Sequence, residues 1–316
     1  MEWPKGKEKI ITVIGSLNFD VIFKQQRFAQ IGETYTADHV ETASGGKGAN
    51  QAVQCAKLGI PTYLVGSVGR DVMGTQLLHE LAEYGVNTNY VTRVDETTGV
   101  GVVNALHDGT LMATISKGAN YTITKNRIDE IEALLKRSSI VILQLEIPIE
   151  VVEYSIHKAH QFGCFIILNA APAAAVSAEA LSKVNCLVVN EPEASFYCGA
   201  SVENLESALR HGRKLHEKIG ELLIITLGRN GSVLFDADDT IHVKSLEVEA
   251  IETTGAGDSY IGAFATRLLM GDDFASAAGY ASAAAAITVT KIGAQSAMPT
   301  ARELETIIPS ISGRMI

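Results

Sequence analysis

The sequence predicts an α/β fold, a three-layer α/β/α sandwich with a mostly parallel central sheet and a small β-sheet lid. Three observations predict it. Short apolar runs rich in β-branched residues recur along the chain, and helix-like stretches separate them. The runs are continuous rather than alternating in polarity, which is typical of parallel strands covered on both faces. Two further segments do alternate, and they indicate a second, smaller sheet.

The elements of the central sheet follow in order along the chain. Its strands are predicted at residues 10–15, 62–69, 139–146, 164–171, 185–191 and 222–228. Helices are predicted between them at residues 49–59, 73–85, 127–137 and 150–163, several of which end in glycine. An alanine-rich stretch at residues 280–290 has small side chains that let a helix approach its neighbour closely. Alternating strands and helices indicate a parallel sheet with helices on both faces.

The lid is predicted from two segments in which polar and apolar residues alternate, at residues 19–42 and 97–116. The second segment predicts a hairpin that turns at the His-Asp-Gly tripeptide at 107–109. An ordinary hairpin at the edge of the main sheet is the alternative interpretation. The main domain is then expected to consist of residues 1–18, 43–96 and 117–316.

Composition narrows the class of protein. The 316 residues carry a net charge of −10, so the general basic surface typical of nucleic-acid-binding proteins is absent. The apolar run behind the polar N-terminal residues is too short for a signal peptide or a membrane span. We therefore expect a cytoplasmic protein that binds neither nucleic acid nor membranes. The four cysteines, which lack the spacing of a zinc site or a disulfide framework, are Cys55, Cys164, Cys186 and Cys198.

The stretch "SGGKGANQA" at residues 44–52 is the first candidate ligand site. Its three glycines, Gly46 among them, leave an uncrowded backbone that a ligand can approach. A helix is predicted to begin near Ala49, so its first N–H groups face this loop. Lys47 adds a positive charge and Asn50 an amide, but the spacing differs from that of a P-loop. An ordinary glycine-rich turn before a helix is the alternative.

Asn18 and Asp20, in "GSLNFD", lie just beyond the first predicted strand. Open α/β sheets bind ligands at the carboxyl ends of their strands. Because the two residues occupy alternate positions, their side chains can point the same way. Two short polar groups at such a place suit sugar hydroxyls. A turn with an Asx cap is the alternative.

Two later motifs also follow apolar strands. In "NEPE", Asn190 and Glu193 offer an amide and a carboxylate for a hydrated Mg²⁺ ion, and the alternative is a helix that merely starts at a proline. In "TLGRNGS", residues 226–232, a glycine turn can host a nucleotide phosphate, or it can simply join two strands. The pattern alone leaves both motifs open.

The stretch "TTGAGDSYIGAF" places a carboxylate where a helix is predicted to begin, near Asp258. One interpretation makes Asp258 the N-cap of that helix. In the other, Gly255, Ala256 and Gly257 expose backbone N–H groups at the positive end of the helix dipole, where a phosphate binds. Asp258 then stands beside the phosphate as the general base for an attacking hydroxyl.

These motifs occur together and in order, and from residue 10 to residue 300 the chain resembles the ribokinase-like (PfkB) carbohydrate kinases. The resemblance implies the fold of that family. It also implies ATP-dependent phosphorylation of D-ribose at the 5-hydroxyl, with Mg²⁺ as cofactor and a homodimer formed through the lid. The alternative is a family member that acts on another pentose, deoxyribose or a nucleoside. A more remote alternative is a non-catalytic sugar-binding protein.

By position, the resemblance implies a role for each motif residue. Asp258 is the base, and residues 255–257 form the anion hole. The sugar site comprises Asn18, Asp20, Gly46, Lys47, Asn50, Glu146, Gly101 and Val103. The ATP site comprises Asn190, Glu193, Thr226, Gly228, Gly231 and Ser282, the first two near Mg²⁺.

Some positions depart from the family pattern. Glu252 stands where the family usually has an aspartate that helps to bind an activating monovalent cation, and Ala297 stands where a serine is usual. The resemblance implies K⁺ as an activator, and a shifted or displaced ion is the alternative. Gly101 and Val103 stand where slightly larger apolar residues are usual, which predicts a wider sugar site.

Overall fold

The computed structural model describes residues 6–106 and 110–307. In chain order, its strands are β1 (Glu8–Ile14), β2 (Asn18–Gln25), β3 (His39–Gly45), β4 (Thr62–Gly69), β5 (Asn87–Val94), β6 (Gly99–Leu106), β7 (Leu111–Ile115), β8 (Ser138–Leu143), β9 (Phe165–Asn169), β10 (Cys186–Val189), β11 (Leu222–Thr226), β12 (Ser232–Phe235) and β13 (Thr240–Val243). Its helices are α1 (Lys47–Lys57), α2 (Val72–Glu83), α3 (Lys125–Glu130), α4 (Glu132–Arg137), α5 (Ile149–Gln161), α6 (Ala178–Leu181), α7 (Glu191–Cys198), α8 (Leu205–His216), α9 (Ala256–Met270), α10 (Phe274–Val289) and α11 (Ala301–Ile307). Single 3₁₀ turns cover Gly118–Thr122 and Gly228–Asn230.

The central sheet has nine strands in the order β13-β12-β11-β10-β9-β8-β1-β4-β5. Every neighbouring pair from β11 to β5 is parallel, whereas β12 and β13 pair in antiparallel fashion at one edge. The mostly parallel sheet expected from the continuous apolar runs is therefore confirmed. Because parallel strands end at the same edge, the loops after β1, β8, β9, β10 and β11 meet there.

Helices cover both faces of this sheet and make the sandwich three layers thick. Along β1, Ile11 and Val13 belong to one buried apolar cluster, and Ile10 and Ile14 belong to the other. Alternate side chains of a strand point to opposite faces, so each cluster fills one face. The first cluster includes residues from α1, α2, α9, α10 and α11. The second includes residues from α3, α4, α5, α6, α7 and α8.

The six predicted strands are all present, but three strands of the central sheet were not predicted. β5 lies at an edge and is only partly buried, so its apolar residues form no continuous run. β12 and β13 are four residues each, and β13 is the other edge. Edge strands need less apolar sequence because one or both of their faces reach solvent.

The helix predicted at residues 127–137 is two short helices, α3 and α4, which meet at Ile131. Ile131 leaves helical geometry, with φ −96° and ψ 14°. The break lets Ile128, Ile131 and Leu134 all bury their side chains on the sheet. The alanine-rich stretch forms the C-terminal part of α10, which packs along α9.

A separate four-stranded sheet has the order β3-β2-β6-β7. β2 and β6 pair in parallel, and the other two pairs are antiparallel. β6 and β7 form the predicted hairpin, whose turn at 107–109 lies outside the described residues. This small sheet begins at Asn18, directly after the loop that follows β1. Within the described ranges, no helix combines the length and the apolar composition that a membrane crossing requires.

Candidate active site

A polar cavity of about 230 Å³ opens at the carboxyl edge of the central sheet. Asn169 is the last residue of β9, Asn190 follows β10 directly, and Thr226 ends β11. The cavity is lined by these three residues and by Lys47, Glu193, Thr253, Gly255, Gly257 and Asp258, among others. The sheet therefore gathers side chains from several loops at the edge where open α/β sheets bind ligands.

The start of α9 forms one wall of this cavity. Gly255 is its N-cap, in the left-handed region at φ 78°, and no side chain caps the helix. The N-cap interpretation of Asp258 is thus wrong, because Asp258 is the third residue of the helix. The first bond of the helix runs from Ser259 N to Gly255 O (2.8 Å). Of the N–H groups before it, that of Ala256 donates to Thr253 O (3.3 Å), and that of Gly257 lies at the positive end of the helix dipole.

Asp258 is 7% exposed, and amides donate hydrogen bonds to both of its carboxylate oxygens. Asn50 Nδ2 donates to Oδ2 (2.9 Å), and Gln51 Nε2 donates to Oδ1 (2.8 Å). Both amides come from the first turn and a half of α1, which begins at Lys47, two residues before the predicted start. The glycine motif and the Gly-Ala-Gly-Asp motif therefore meet in space.

Lys47 lies between the carboxylates of the site. Its backbone N–H donates to Glu146 Oε2 (3.2 Å). Burial alone lowers the pKa of the Lys47 ammonium, but nearby negative charges outweigh it and raise the pKa above its usual value. Those charges are on Asp258, Glu146 and Glu193. Lys47 is therefore a firmly charged cation at the cavity.

The glycine before Lys47 allows two loops to touch. Gly46 has φ 90°, and a Cβ there would lie 2.7 Å from Asn18 N and 2.8 Å from Ser16 O. Any other residue would push α1 away from the loop after β1. Ser16 Oγ in that loop donates to Glu146 Oε2, so the sugar-side residues form one connected structure.

Asp20 projects from β2 between two glycines of the small sheet. A Cβ at Gly45 would lie 2.1 Å from Asp20 Oδ2, and one at Gly101 would lie 2.2 Å from Oδ1. Glycine on both sides thus makes room for the carboxylate. Burial, followed by the charge of Glu146, raises the pKa of Asp20 to about 6. Val103 lies two residues beyond Gly101 along β6, opposite Ile22.

Asn18 is buried, and its side-chain carbonyl is already bonded. Asn120 Nδ2 donates to Asn18 Oδ1 (2.7 Å) and to Leu17 O (3.1 Å), while Asn120 Oδ1 accepts from Leu17 N (2.9 Å). Asn120 therefore fixes the start of β2. Within the described part of the chain Asn18 Nδ2 has no hydrogen-bond partner, so this amide nitrogen can donate to a ligand.

Asn190 and Glu193 form a capping box at the start of α7. Glu193 N donates to Asn190 Oδ1 (3.0 Å), and Asn190 N donates to Glu193 Oε2 (3.0 Å). The helix-start interpretation of "NEPE" therefore holds, and both side chains also line the cavity. Burial raises the pKa of Glu193, although the Asn190 N–H and the Lys47 charge oppose that rise.

A second cavity, of about 270 Å³, is mainly apolar and shares Thr226, Thr253 and Gly257 with the first. The glycine turn of "TLGRNGS" joins β11 to the antiparallel β12, as one interpretation predicted. Gly231 at φ 85° is needed there, since a Cβ would lie 2.0 Å from Val243 O. Gly228, Gly231, Ser282, Ala285 and Val289 line this cavity.

Glu252 lies apart from these two cavities. Its Oε2 accepts from Gly293 N (3.0 Å), which ties the loop before α9 to the loop after α10. It lines a third cavity, of about 300 Å³, between the small sheet, α2 and residues 292–296. Ala297 is buried, whereas Ser296 is exposed.

Sequence reasoning missed three polar residues of the site: Gln51, Asn169 and Gln144. Gln51 Nε2 also donates to Asn169 Oδ1 (3.2 Å), and Gln144 Nε2 donates to Gln51 Oε1 (2.7 Å). Asn169 ends β9 and Gln144 follows β8, so the carboxyl-edge rule that selected Asn18 and Asp20 would also have selected them. Gln51 is adjacent to Asn50 in the glycine motif.

Comparison with known proteins identifies the family. The pattern described as "pfkB family carbohydrate kinase" matches residues 8–301. The chain belongs to this family. It is 36% identical over 296 residues to the ribokinase of Haemophilus influenzae, covering 93% of this chain and 97% of that protein. It is 34% identical over 294 residues to the deoxyribokinase of Salmonella typhi, covering 92% of this chain and 95% of that protein.

A solved structure agrees with this assignment. The structure of the Arabidopsis thaliana ribokinase complexed with ribose and ATP matches with a TM-score of 0.89 and 31% identity. The match covers 94% of this chain and 98% of the Arabidopsis chain. The expected fold class and family are confirmed. The enzyme class is accordingly that of an ATP-dependent sugar kinase.

Proposed function

We propose that this pfkB-family chain transfers the γ-phosphate of ATP to the 5-hydroxyl of D-ribose. One observation carries the proposal. The buried Asp258 carboxylate lies in the first turn of α9, beside Gly257, where a Cβ would meet no atom within 4 Å. A base and the N–H groups of a helix start thus border one cavity. A base, an anion-binding helix start and an open approach are what phosphoryl transfer needs.

In the proposed reaction, the 5-hydroxyl oxygen attacks the γ-phosphorus while its proton passes to Asp258. The bond from the γ-phosphorus to the bridging oxygen of ADP breaks, and the sugar phosphate and ADP leave. Of the predicted anion hole, residues 255–257, the N–H groups of Gly255 and Gly257 stabilise the charge on the transferred group, whereas that of Ala256 already donates to Thr253 O. Lys47, which faces the same cavity, adds a positive charge.

On the sugar side, Asp20 and Glu146 accept hydrogen bonds from ribose hydroxyls, and the Asn50 amide and Lys47 ammonium complete the site. Asp20 is half-buried between two glycines, and this supports the role because a carboxylate partly withdrawn from water needs donors. The Haemophilus and Arabidopsis ribokinases support ribose as the sugar. The further sugar-site residues are Asn18, Gly46, Gly101 and Val103.

On the nucleotide side, the apolar cavity suits an adenine ring, and the cavity it joins suits the phosphates. Ser282 lies at the adenine end, and Thr226, Gly228 and Gly231 line the passage. The Arabidopsis ribokinase, which is complexed with ribose and ATP, supports ATP as the nucleotide.

Glu193 and Asn190 would hold Mg²⁺ indirectly. Among the described residues there is no group of three or more His, Cys, Asp or Glu side chains fit to hold a metal ion. One buried carboxylate at the phosphate cavity does suit Mg²⁺, which commonly keeps its waters and binds through substrate phosphates. When bound, Mg²⁺ neutralises charge on the β- and γ-phosphates. Removal of Mg²⁺ with EDTA should abolish turnover.

We infer K⁺ activation from the position of Glu252. Its carboxylate joins the loop before α9 to the loop after α10, so an ion there would act on the anion hole through the loop before Gly255. Turnover should rise in KCl relative to choline chloride, and Glu252→Asp should keep the response. Equal rates in both salts would remove K⁺ from the mechanism.

We also infer a homodimer through the lid. By alternation, the face of the small sheet opposite to Asp20 carries Val21, Phe23, Val40, Val102 and Met112. The same face also carries the polar residues Thr42, Asn104 and Thr114. Val40 and Met112 are 50% and 51% exposed, so the apolar part of this face is open to a second copy of the chain. Sedimentation velocity should show a dimer that Met112→Glu dissociates. A monomeric native chain would overturn the inference.

The deciding experiment is ADP release with Mg·ATP across pentoses, hexoses and nucleosides, with phosphate position read by ³¹P–¹H NMR. Ribose-dependent ADP release and a 5-phosphate product are expected. No release with any pentose would overturn the proposal. The need for ATP also favours a cytoplasmic location, which cell fractionation would check.

Deoxyribose is the second candidate substrate. The Salmonella deoxyribokinase is nearly as similar to this chain as the Haemophilus ribokinase is. The ratio of kcat/KM for ribose to that for 2-deoxyribose decides between them. A ratio below one would move the assignment to deoxyribose and leave the role of Asp258 unchanged.

A further inference from the structure

The two oxygens of Asp258 are held from different sides. Asn50, which donates to Oδ2, belongs to the sugar site. Gln51, which donates to Oδ1, is 0% exposed and lies behind the carboxylate in the core. A sugar that engages Asn50 leaves the bond from Gln51 in place. Gln51 is therefore the partner that can fix the carboxylate plane throughout the reaction.

The orientation of the Gln51 amide is itself determined by a buried neighbour. Its Oε1 accepts from Gln144 Nε2 (2.7 Å), so its NH₂ group is turned towards Asp258 and Asn169. If the Gln51 amide were reversed, its carbonyl would face the Asp258 carboxylate, and acceptor would meet acceptor. The hydrogen bond from Gln144 therefore keeps the Gln51 amide in the orientation in which its NH₂ group donates to Asp258.

The Gln144 side chain bonds Gln51 through its nitrogen, while its own carbonyl oxygen is left without a partner in the described residues. It is fully buried, and its Oε1 has no hydrogen-bond partner within the described part of the chain. That oxygen lies where a Cβ at position 15 would be 1.8 Å away, so Gly15 provides its space. Buried carbonyls are rarely left unpaired, and such exceptions are found where another requirement prevails. Here the requirement is a donor aimed at Gln51.

We propose that Gln51, oriented by Gln144, is a positioning residue that fixes the Asp258 carboxylate so that Oδ2 faces the attacking hydroxyl. The inference rests on the proposed function, since it assumes that Asp258 is the base. Without the Gln51 bond the carboxylate rotates about its own axis, and the base spends less time aligned. Misplacement of a reacting group by about 1 Å costs on the order of 100-fold in rate.

The test compares three buried glutamines replaced by methionine, which keeps the length and removes the amide. Gln51→Met should lower kcat by about 30-fold to 100-fold and leave the sugar KM within about 3-fold, because Gln51 does not touch the sugar. Gln144→Met should lower kcat by about 10-fold. The double variant should be no slower than Gln51→Met, because both act through one bond.

Gln54→Met is the matched control. Gln54 also lies on α1 and is fully buried. Its Nε2 donates to Pro299 O (3.0 Å) and its Oε1 accepts from Ser259 Oγ (2.7 Å), and neither bond involves Asp258. Its loss should destabilise the fold as much as the loss of Gln51, measured by thermal unfolding. It should leave kcat within about 3-fold of the native value.

The outcomes separate the two proposals. If Asp258→Asn abolishes turnover but Gln51→Met and Gln144→Met keep the native kcat, the positioning role is wrong and the base assignment stands. If Gln54→Met lowers kcat as much as Gln51→Met, the effect is general loss of packing, and the positioning role is again wrong. If Asp258→Asn keeps its turnover, the proposed function fails. Should Gln51→Met not fold, Gln144→Met, which removes no hydrogen-bond partner of Asp258 itself, decides by its kcat.

Discussion

Two carboxylates of the site, Asp258 and Asp20, are built in opposite ways. Asp258 lies in the helical layer, and buried amides already donate to both of its oxygens. Asp20 lies on the small sheet, and among the described residues no donor reaches its carboxylate. Glycines on the two neighbouring strands only make room for it.

The difference separates chemistry from binding. A carboxylate whose partners are in place before the substrate arrives needs no reorganisation during the reaction, which is what a base requires. A half-buried carboxylate without donors is destabilised until a ligand supplies them, which is what a binding group requires. We therefore expect changes at Asp258 to act on kcat and changes at Asp20 to act on the sugar KM.

The largest effect is expected for Asp258→Asn. The substitution keeps the shape of the side chain but removes the proton acceptor, and loss of a general base costs about 100-fold to 10,000-fold in rate. Single-turnover ADP formation at saturating ribose and Mg·ATP measures the loss. Ribose binding, followed by calorimetry, should stay within about 3-fold in the same variant. A kcat within about 10-fold of native would remove Asp258 from the role of base.

Replacement of Gly257 should weaken the anion hole without disturbing the fold. A Cβ at this position points into open space, so Gly257→Ala and Gly257→Val are both expected to fold. The added carbons occupy the path of the phosphate, and removal of one oxyanion donor interaction costs about 100-fold or more in kcat. We expect a graded loss, greater for valine. If Gly257→Val kept native kcat with unchanged thermal stability, the phosphate would have to bind elsewhere.

Asp20→Ala tests the other half of the comparison. Loss of hydrogen bonds from sugar hydroxyls to a charged acceptor, at about 1.5–3 kcal/mol each, should raise the sugar KM by roughly 10-fold to 100-fold. The KM for ATP should not change, because Asp20 lies outside both nucleotide-lining sets. Initial rates over a matrix of ribose and ATP concentrations separate the two constants. An unchanged ribose KM would end the assignment of Asp20 to the sugar.

The sequence predicts some regions of the protein well and others poorly, according to whether a local pattern of residues encodes them. Continuous apolar runs located the buried strands, because strands covered on both faces can hardly be encoded otherwise. The edge strands β5 and β13 carry a weaker signal and were missed, and β12, which is buried but only four residues long, was missed as well. Glycine-rich motifs led to Gly46, Lys47 and Asp258. A backbone that a ligand or another loop approaches closely requires glycines, and these stand out in the sequence next to a charged residue.

Other features depend on partners that are distant in sequence. Gln51 and Gln144 are 93 residues apart, and neither has a pattern of its own. Their importance appears only when α1 and the end of β8 are brought together. Likewise, Gly101 was predicted to widen the sugar site, whereas the space it leaves is the space that the Asp20 carboxylate fills.

The smallest expected effect concerns the stability of the folded protein. Removal of the Asp20 charge should weaken sugar binding but stabilise the fold. Burial and the charge of Glu146 raise the pKa of Asp20 from 3.8 to about 6. Because the folded-state pKa is the higher one, the stabilising contribution is complete below pH 3.8 and is lost as the pH rises through about 6. At pH 7.5 the native protein therefore carries an ionised carboxylate that disfavours the folded state.

Asp20→Asn removes that charge without changing the shape that the flanking glycines accommodate. The free energy of unfolding at pH 7.5 should rise by on the order of 2 kcal/mol, and at pH 4 the two proteins should differ by less than about 0.5 kcal/mol. Urea unfolding at both pH values measures the difference. Asp258→Asn should show no such gain, because its amide donors already compensate the charge. A stabilised Asp258→Asn, or an unstabilised Asp20→Asn, would mean that the two carboxylates are not built as differently as their contacts indicate.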